Sequence, residues 1–433
     1  MKTYGTLGTI LLATLLLAGC GGGNGGSSNS GVRLNAIIAV PNVGAATNFS
    51  FDISAVDTVK GRYYFTDRNN KSVDVFDIKT NTFIKSITGG FAGCNAGPPI
   101  VPAPTCSGAN NDLSGPDGLN IIPGTTLIYV GDVNSVKIID TQTDTVVNTI
   151  AIGGTSGFRA DEGCYDPDHK IFMINSPGES PPFATFIDTT TQKIIATILW
   201  TDPGTGPAGP ASAGLEACVY DHASQSFFNN NDGSTANPHG EVDVVPASFI
   251  TGSGGTPAKP VTLTLPVPTA GNGFKIFPLG NCDPTGIDLG PGTDLGVMCR
   301  QGTTGALLTF QILNRTTGAV LAVLNAGGGD QIAYDAATNR WFLASSRFTA
   351  SGFAATGGAC TAAVPCSPQL IVVDGTSRNI IASVATGNNA HSVGVDPVSH
   401  QVYMPYSSAV APAGCATCAS NFPSGAVGVY SGQ

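Results

Sequence analysis

The chain has 433 residues, 11% of them charged and 42% hydrophobic, with 57 glycines, 29 prolines and a formal net charge of −10. That much apolar material excludes a disordered chain, and the acidic balance excludes the clustered Lys/Arg surface that nucleic acid requires while mildly favouring cations as partners. Glycine and proline at this density rarely leave the clear run of about 10–12 residues that a helix wants, so the composition predicts short strands and turns.

In chain order, the first feature is Lys2 followed by the apolar "LGTILLATLLLAGC" (7–20), too short to span a bilayer as a mature helix. Its last four residues, "LAGC", resemble the bacterial lipobox. The resemblance implies a signal peptide over 1–20 and lipidation of Cys20. With Gly21 after the cysteine, it also implies sorting to the outer membrane or cell surface. "GGGNGGSSNSG" (21–31) reads as a flexible tether, and 32–433 as the folded domain.

Within that domain five segments superpose without gaps. They are "VFDIKTNTFIKSI" (75–87), "IIDTQTDTVVNTI" (138–150), "FIDTTTQKIIATI" (186–198), "ILNRTTGAVLAVL" (312–324) and "VVDGTSRNIIASV" (372–384). Each is an apolar pair, an Asp or Asn, a polar turn and a second apolar run, which predicts a hairpin. Thr80, Thr141 and Thr189 add hydroxyls to the turns. The wide gap between the third and fourth copies leaves room for a degenerate one, and "EVDVVPASF" with "PVTLTLPV" (241–249 and 260–267) is expected to fill it. A further strand pair precedes each hairpin, as in "DGLNIIPGTTLIYVGD" (117–132) and "HSVGVDPVSHQVYMPYS" (391–407). Four strands per unit and seven units predict an all-β seven-bladed β-propeller with four-stranded antiparallel blades. The last unit is one strand short, and "VRLNAIIAV" (32–40) has the pattern to complete it and close the ring.

The unit "Y-V-x-D…I-I-D-x-x-T…V-V-x-T-I" resembles the YVTN-type bacterial propellers, related to the wider NHL- and cytochrome d1-like seven-bladed proteins. The nearest approach to the tetrapeptide itself is "IYVGD" at 128–132. The resemblance covers nearly all of 33–433 and implies a surface or periplasmic binding protein.

Two stretches, "RADEGCYDPDHK" (159–170) and "GLEACVYDHASQ" (214–225), each place a glutamate two residues before a cysteine at the start of a blade's innermost strand. The same position holds Asp52, Asp117, Asp161 (with Glu162 beside it), Glu216, Asp283 or Thr285, Asp330 and His391 in successive blades. The echo is therefore a repeat position. Like charges converging on a channel mouth call for a counter-cation, protonation or water. Asp52, Asp117, Asp161, Glu216, Asp330 and His391 thus form a candidate site for Ca²⁺ or another divalent cation. The alternative is that each carboxylate accepts backbone N–H groups at its own strand start.

The ten cysteines after Cys20 are an even number in a chain read as exported, which points to disulfides. Matching heights on adjacent inner strands pair Cys164 with Cys218, and proximity pairs Cys94–Cys106, Cys282–Cys299, Cys360–Cys366 and Cys415–Cys418. Long loops such as 89–115, 201–214, 229–241, 347–368 and 407–425 fall on the face where the acidic ring opens, and turns on the other face are mostly minimal. Function is expected on the loop-rich face. The leading expectation is a lipid-anchored binding or scaffold module for an extracellular or periplasmic protein, glycan or small ligand. The second is a metal-dependent hydrolase or lyase, with a cation at the mouth and His391 as general base. A quinoprotein-like oxidoreductase lacks visible cofactor ligands beyond the acids.

Overall fold

The Asp or Asn that opens each repeated turn is what folds it. Asp77 Oδ1 accepts the backbone N–H groups of Lys79 and Thr80 at 2.9 and 2.7 Å. Asp188 does the same for Thr190 and Thr191, Asn314 for Thr316 and Thr317, and Asp374 for Thr376 and Ser377. A side chain that satisfies two turn donors in this way fixes the reversal locally. The threonines have a further job: the hydroxyls of Thr141 and Thr189 donate to the carbonyls of Thr126 and Lys170, tying this hairpin to the turn of the preceding strand pair.

A computed structural model of the chain describes residues 31–43, 49–94, 110–201, 214–300, 308–348, 367–407 and 425–432. Seven sheets, each built on four antiparallel strands, surround a central channel, so the protein is an all-β seven-bladed propeller. Numbered in chain order, the blades begin at the channel with Phe51–Asp57, Leu119–Ile121, Gly163–Asp166, Leu215–Asp221, Pro284–Leu289, Ile332–Asp335 and Gly394–Val395. Blade 7 takes its outer strand from the other end of the chain: Arg33–Ala39 pairs antiparallel with Ala426–Ser431, which closes the ring.

The expected fourth hairpin is the exception. Glu241–Pro246 is the third strand of blade 4, but its outer neighbour is Lys275–Pro278, reached only after a long excursion. The segment Val261–Thr264 instead adds to blade 3 as a fifth strand, parallel to Lys193–Leu199. The short helix Ala247–Thr251 redirects the chain, and "VTLT" then finds the open edge of the neighbouring blade.

The core lies between blades. Tyr64, Val73 and Val75 of blade 1 pack on Leu119, Ile128, Val130 and Ile139 of blade 2. Blades 3 and 4 share Met173, Phe186, Trp200, Tyr220 and Phe227, and the ring closes on Tyr63, Phe65, Phe76, Tyr403 and Val429. Each such side chain contributes on the order of 1.5–3 kcal/mol through burial. Two staples reinforce this packing. The Cys164–Cys218 disulfide joins the inner strands of blades 3 and 4 across a Cα separation of 5.5 Å, and Cys282–Cys299 bridges the first strand pair of blade 5. Cys94 is also disulfide-bonded. Cys20, Cys106, Cys360, Cys366, Cys415 and Cys418 lie outside the described residues.

Candidate functional site

At one end of the channel a cavity of about 200 Å³ is walled by Asp52, Asp161, Glu162, Glu216, Asp330 and His391 together with Arg68, Arg159, Arg300 and Arg347. Five of the six expected ring residues therefore meet in one funnel. The sixth, Asp117, is fully buried behind Arg68. Its place follows from close blade contact: Gly118 donates its N–H to the Asp161 carbonyl at 3.0 Å, and a Cβ on Gly118 would stand 2.0 Å from that oxygen. Asp283 and Thr285 have other roles. Asp283 accepts the N–H of Arg300, and the Thr285 hydroxyl donates to the Gly329 carbonyl at 2.7 Å.

The positive charge that converging carboxylates require is supplied by the arginines. Arg68 donates to Asp52 Oδ2 and to Asp117 Oδ1, each at 2.9 Å, bridging two blades. Arg159 Nη2 lies 2.7 Å from Asp161 Oδ2. Burial pushes the Asp52 carboxyl up, but Arg68 and His391 outweigh it and hold the group below its ordinary value. Burial raises Asp161 to about 6 despite Arg159. On the opposite wall the pairing is loose. Arg300 Nη2 stands 3.8 Å from Glu216 and 4.0 Å from Asp232, beyond hydrogen-bond reach. Burial and the neighbouring Asp232 push Glu216 well up, and burial raises Asp232 to about 7.

These arginines were not anticipated, although a signal exists. Arg68 and Arg300 each occupy the residue immediately after a blade's second strand (Arg62–Asp67 and Asp294–Cys299), and Arg347 comes two after Arg340–Ser345. Asp232 holds the same place after Ser226–Asn231 in blade 4. Aligning the ends of the second strands, as well as the starts of the first, exposes this second ring.

His391 stacks on Phe51 with ring centroids 4.4 Å apart and donates from Nδ1 to the Asn389 carbonyl at 2.8 Å. Its Nε2 faces Asp52 Oδ1 at 3.7 Å. Burial disfavours the imidazolium, but Asp52 and Asp330 prevail and raise its pKa. Ligand atoms of Asp52, Asp330 and His391 lie within 4.8 Å of one another, as do those of Asp52, Asp117 and Asp161, although Arg68 already serves both Asp52 and Asp117 in the second set. Three other histidines sit at turns away from the funnel, each 2.7 Å from an aspartate: His169 on Asp166, His222 on Asp168 and His400 on Asp335.

These features define a seven-bladed propeller with a charge-lined channel mouth. The solved structures agree on the fold: 1273 chains match it, so the architecture is too common to identify a function. One, titled "Crystal Structure of Mitotic Checkpoint Complex", superposes with a TM-score of 0.55 at 11% identity, covering 98% of this chain and 99% of that one. No family profile matches the sequence, and neither does any curated protein.

Proposed function

We propose that the protein is an envelope-anchored binding propeller that takes a small polar ligand into the funnel at its channel mouth. The observation that carries this reading is the funnel itself: four guanidiniums and five carboxylates converge on one recess. Polar groups arranged this densely fix the orientation of a ligand. His391 is poorly placed as a general base, because one ring nitrogen donates to a carbonyl and the other faces Asp52. A second reading rests on the Asp52, Asp330 and His391 cluster, whose geometry suits a divalent cation such as Ca²⁺. A cation there is what the metal-dependent hydrolase or lyase reading needs.

One panel of melting curves separates these readings, since a ligand that binds only the folded state raises the melting temperature. Calcium, phosphate, succinate, putrescine and glucose are each titrated against the purified chain. An anion response lost in Arg300→Gln, or a putrescine or glucose response lost in Glu216→Gln or Asp330→Asn, supports a ligand-binding funnel; a calcium response lost in Asp330→Asn selects the metal. A flat response to all five defeats both.

The anchor is proposed from "LAGC" and the Gly/Ser stretch after it. No helix among the described residues is long and apolar enough to cross a membrane. Cys20→Ser should move the protein from the membrane fraction to the soluble one. Unchanged fractionation refutes lipidation.

A further inference from the structure

We propose that the Arg300–Arg347 wall of the funnel is an oxyanion subsite, which receives a carboxylate or phosphate group of the ligand. This rests on the funnel being a binding site and names the chemistry it selects.

The two arginines differ from the other pair in what they touch. Arg68 spends its donors on Asp52 and Asp117 at 2.9 Å, and Arg159 closes on Asp161 at 2.7 Å through Nη2, although its Nε has no hydrogen-bond partner among the described residues. Arg300 reaches no acceptor within hydrogen-bond distance among the described residues, its nearest carboxylate oxygens being 3.8 and 4.0 Å away. The Arg347 side chain has neither an ion pair nor a hydrogen bond among the described residues, yet it lines the same recess. A guanidinium carries five N–H donors in a planar fork that fits two oxygens of one anion. Two such forks with idle donors, close enough for each charge to act on the other, make a receptor for an oxyanion.

The backbone beneath both arginines is fixed, so the site is built before a ligand arrives. Arg300 follows Cys299, which is bonded to Cys282, and its N–H donates to the Asp283 carbonyl at 3.1 Å. The Arg347 N–H donates to the Gly328 carbonyl at 2.7 Å. Acidic neighbours do not cancel the site. Burial makes Glu216 and Asp232 hold protons more firmly than ordinary carboxyls, and the other carboxyls that act on the guanidiniums are Asp330, on both, and Asp283, on Arg300.

The test is isothermal titration of the purified chain with inorganic phosphate and with succinate. Glucose and putrescine serve as neutral and cationic controls. Both anions should bind, and Arg300→Gln or Arg347→Gln should each weaken them at least tenfold. Lys60→Gln, the same loss of charge on an exposed turn of the opposite face, should leave binding unchanged. Because the Arg347 side chain makes no hydrogen bond or ion pair among the described residues, Arg347→Gln should melt no lower than the parent without anion, so a loss of binding is separable from a loss of fold. Preference for phosphate over succinate assigns a phosphate ester, and the reverse assigns a carboxylate. If putrescine or glucose binds and neither anion does, the funnel remains a binding site and the oxyanion subsite is refuted. Anion binding that survives both substitutions refutes it equally.

Discussion

The two walls of the channel mouth use the same repeat position and end in opposite states. In blades 1 to 3 the inner-strand carboxylates are locked by Arg68 and Arg159 at hydrogen-bond distance, and one of them, Asp117, is buried out of reach. In blades 4 to 6 Glu216, Asp232 and Asp330 face Arg300 and Arg347 without closing on them. The first wall is structure that uses charge, whereas the second holds charge in reserve. The seam between them is the Cys164–Cys218 bond, which joins blade 3 to blade 4. A repeat thus supplies a position, and the arginine beside it decides whether that position is spent on the fold or left for a ligand.

The largest effect expected from breaking this contrast is at Arg68. Arg68→Met strands Asp52 and Asp117 as carboxyls without their shared partner, which should cost about 3–5 kcal/mol at pH 7.5. Part of that loss should return in the double variant with Asp117→Asn, which no longer has a second ionisable carboxyl to bury, one that burial already pushes well up. Urea unfolding of the three proteins measures it. If Arg68→Met costs no more than Arg347→Met, the two walls are energetically alike and the comparison fails.

Much of this architecture was legible in the sequence because a propeller repeats its turn chemistry. The Asp or Asn at the head of each hairpin set the register, and "VRLNAIIAV" carried the pattern of a missing outer strand, which Arg33–Ala39 supplies in blade 7. Asp52, Asp161, Glu216, Asp330 and His391 could be grouped because each stands at the head of an inner strand, and they line one cavity. The opposing arginines escaped notice because they lie in loops, where position is defined only by counting from the strand that precedes them. The fate of "VTLT" was illegible for another reason. An alternating strand reads the same whichever sheet edge accepts it, and only the fold shows that Val261–Thr264 crosses to blade 3.

The smallest and most diagnostic prediction concerns Glu162, which sits where the funnel meets the longer channel cavity of about 390 Å³. Burial pushes its carboxyl well up, and Asp161, Asp52, Glu216 and Asp330 add to that push. No ion pair or hydrogen bond of its side chain offsets this among the described residues. A carboxyl whose pKa is higher in the folded state binds more protons there than in the unfolded chain. The stability it contributes is therefore complete below its ordinary value and is lost as pH rises through the folded one. Asp161 at about 6, Asp232 at about 7 and Asp288 at about 6 act in the same direction. Stability should consequently rise as pH falls from 8 to about 5, until the carboxyls held below their ordinary range, Asp52 among them, begin to protonate. Glu162→Gln removes the ionisable group at nearly constant shape, so it should gain about 1–3 kcal/mol at pH 8 and nothing at pH 4, flattening the profile. Urea midpoints at pH 4, 6 and 8 read both effects. A loss of stability in Glu162→Gln at pH 8 would instead mean that Glu162 is ionised there and held by a cation, which would carry the divalent-metal reading into the throat of the channel.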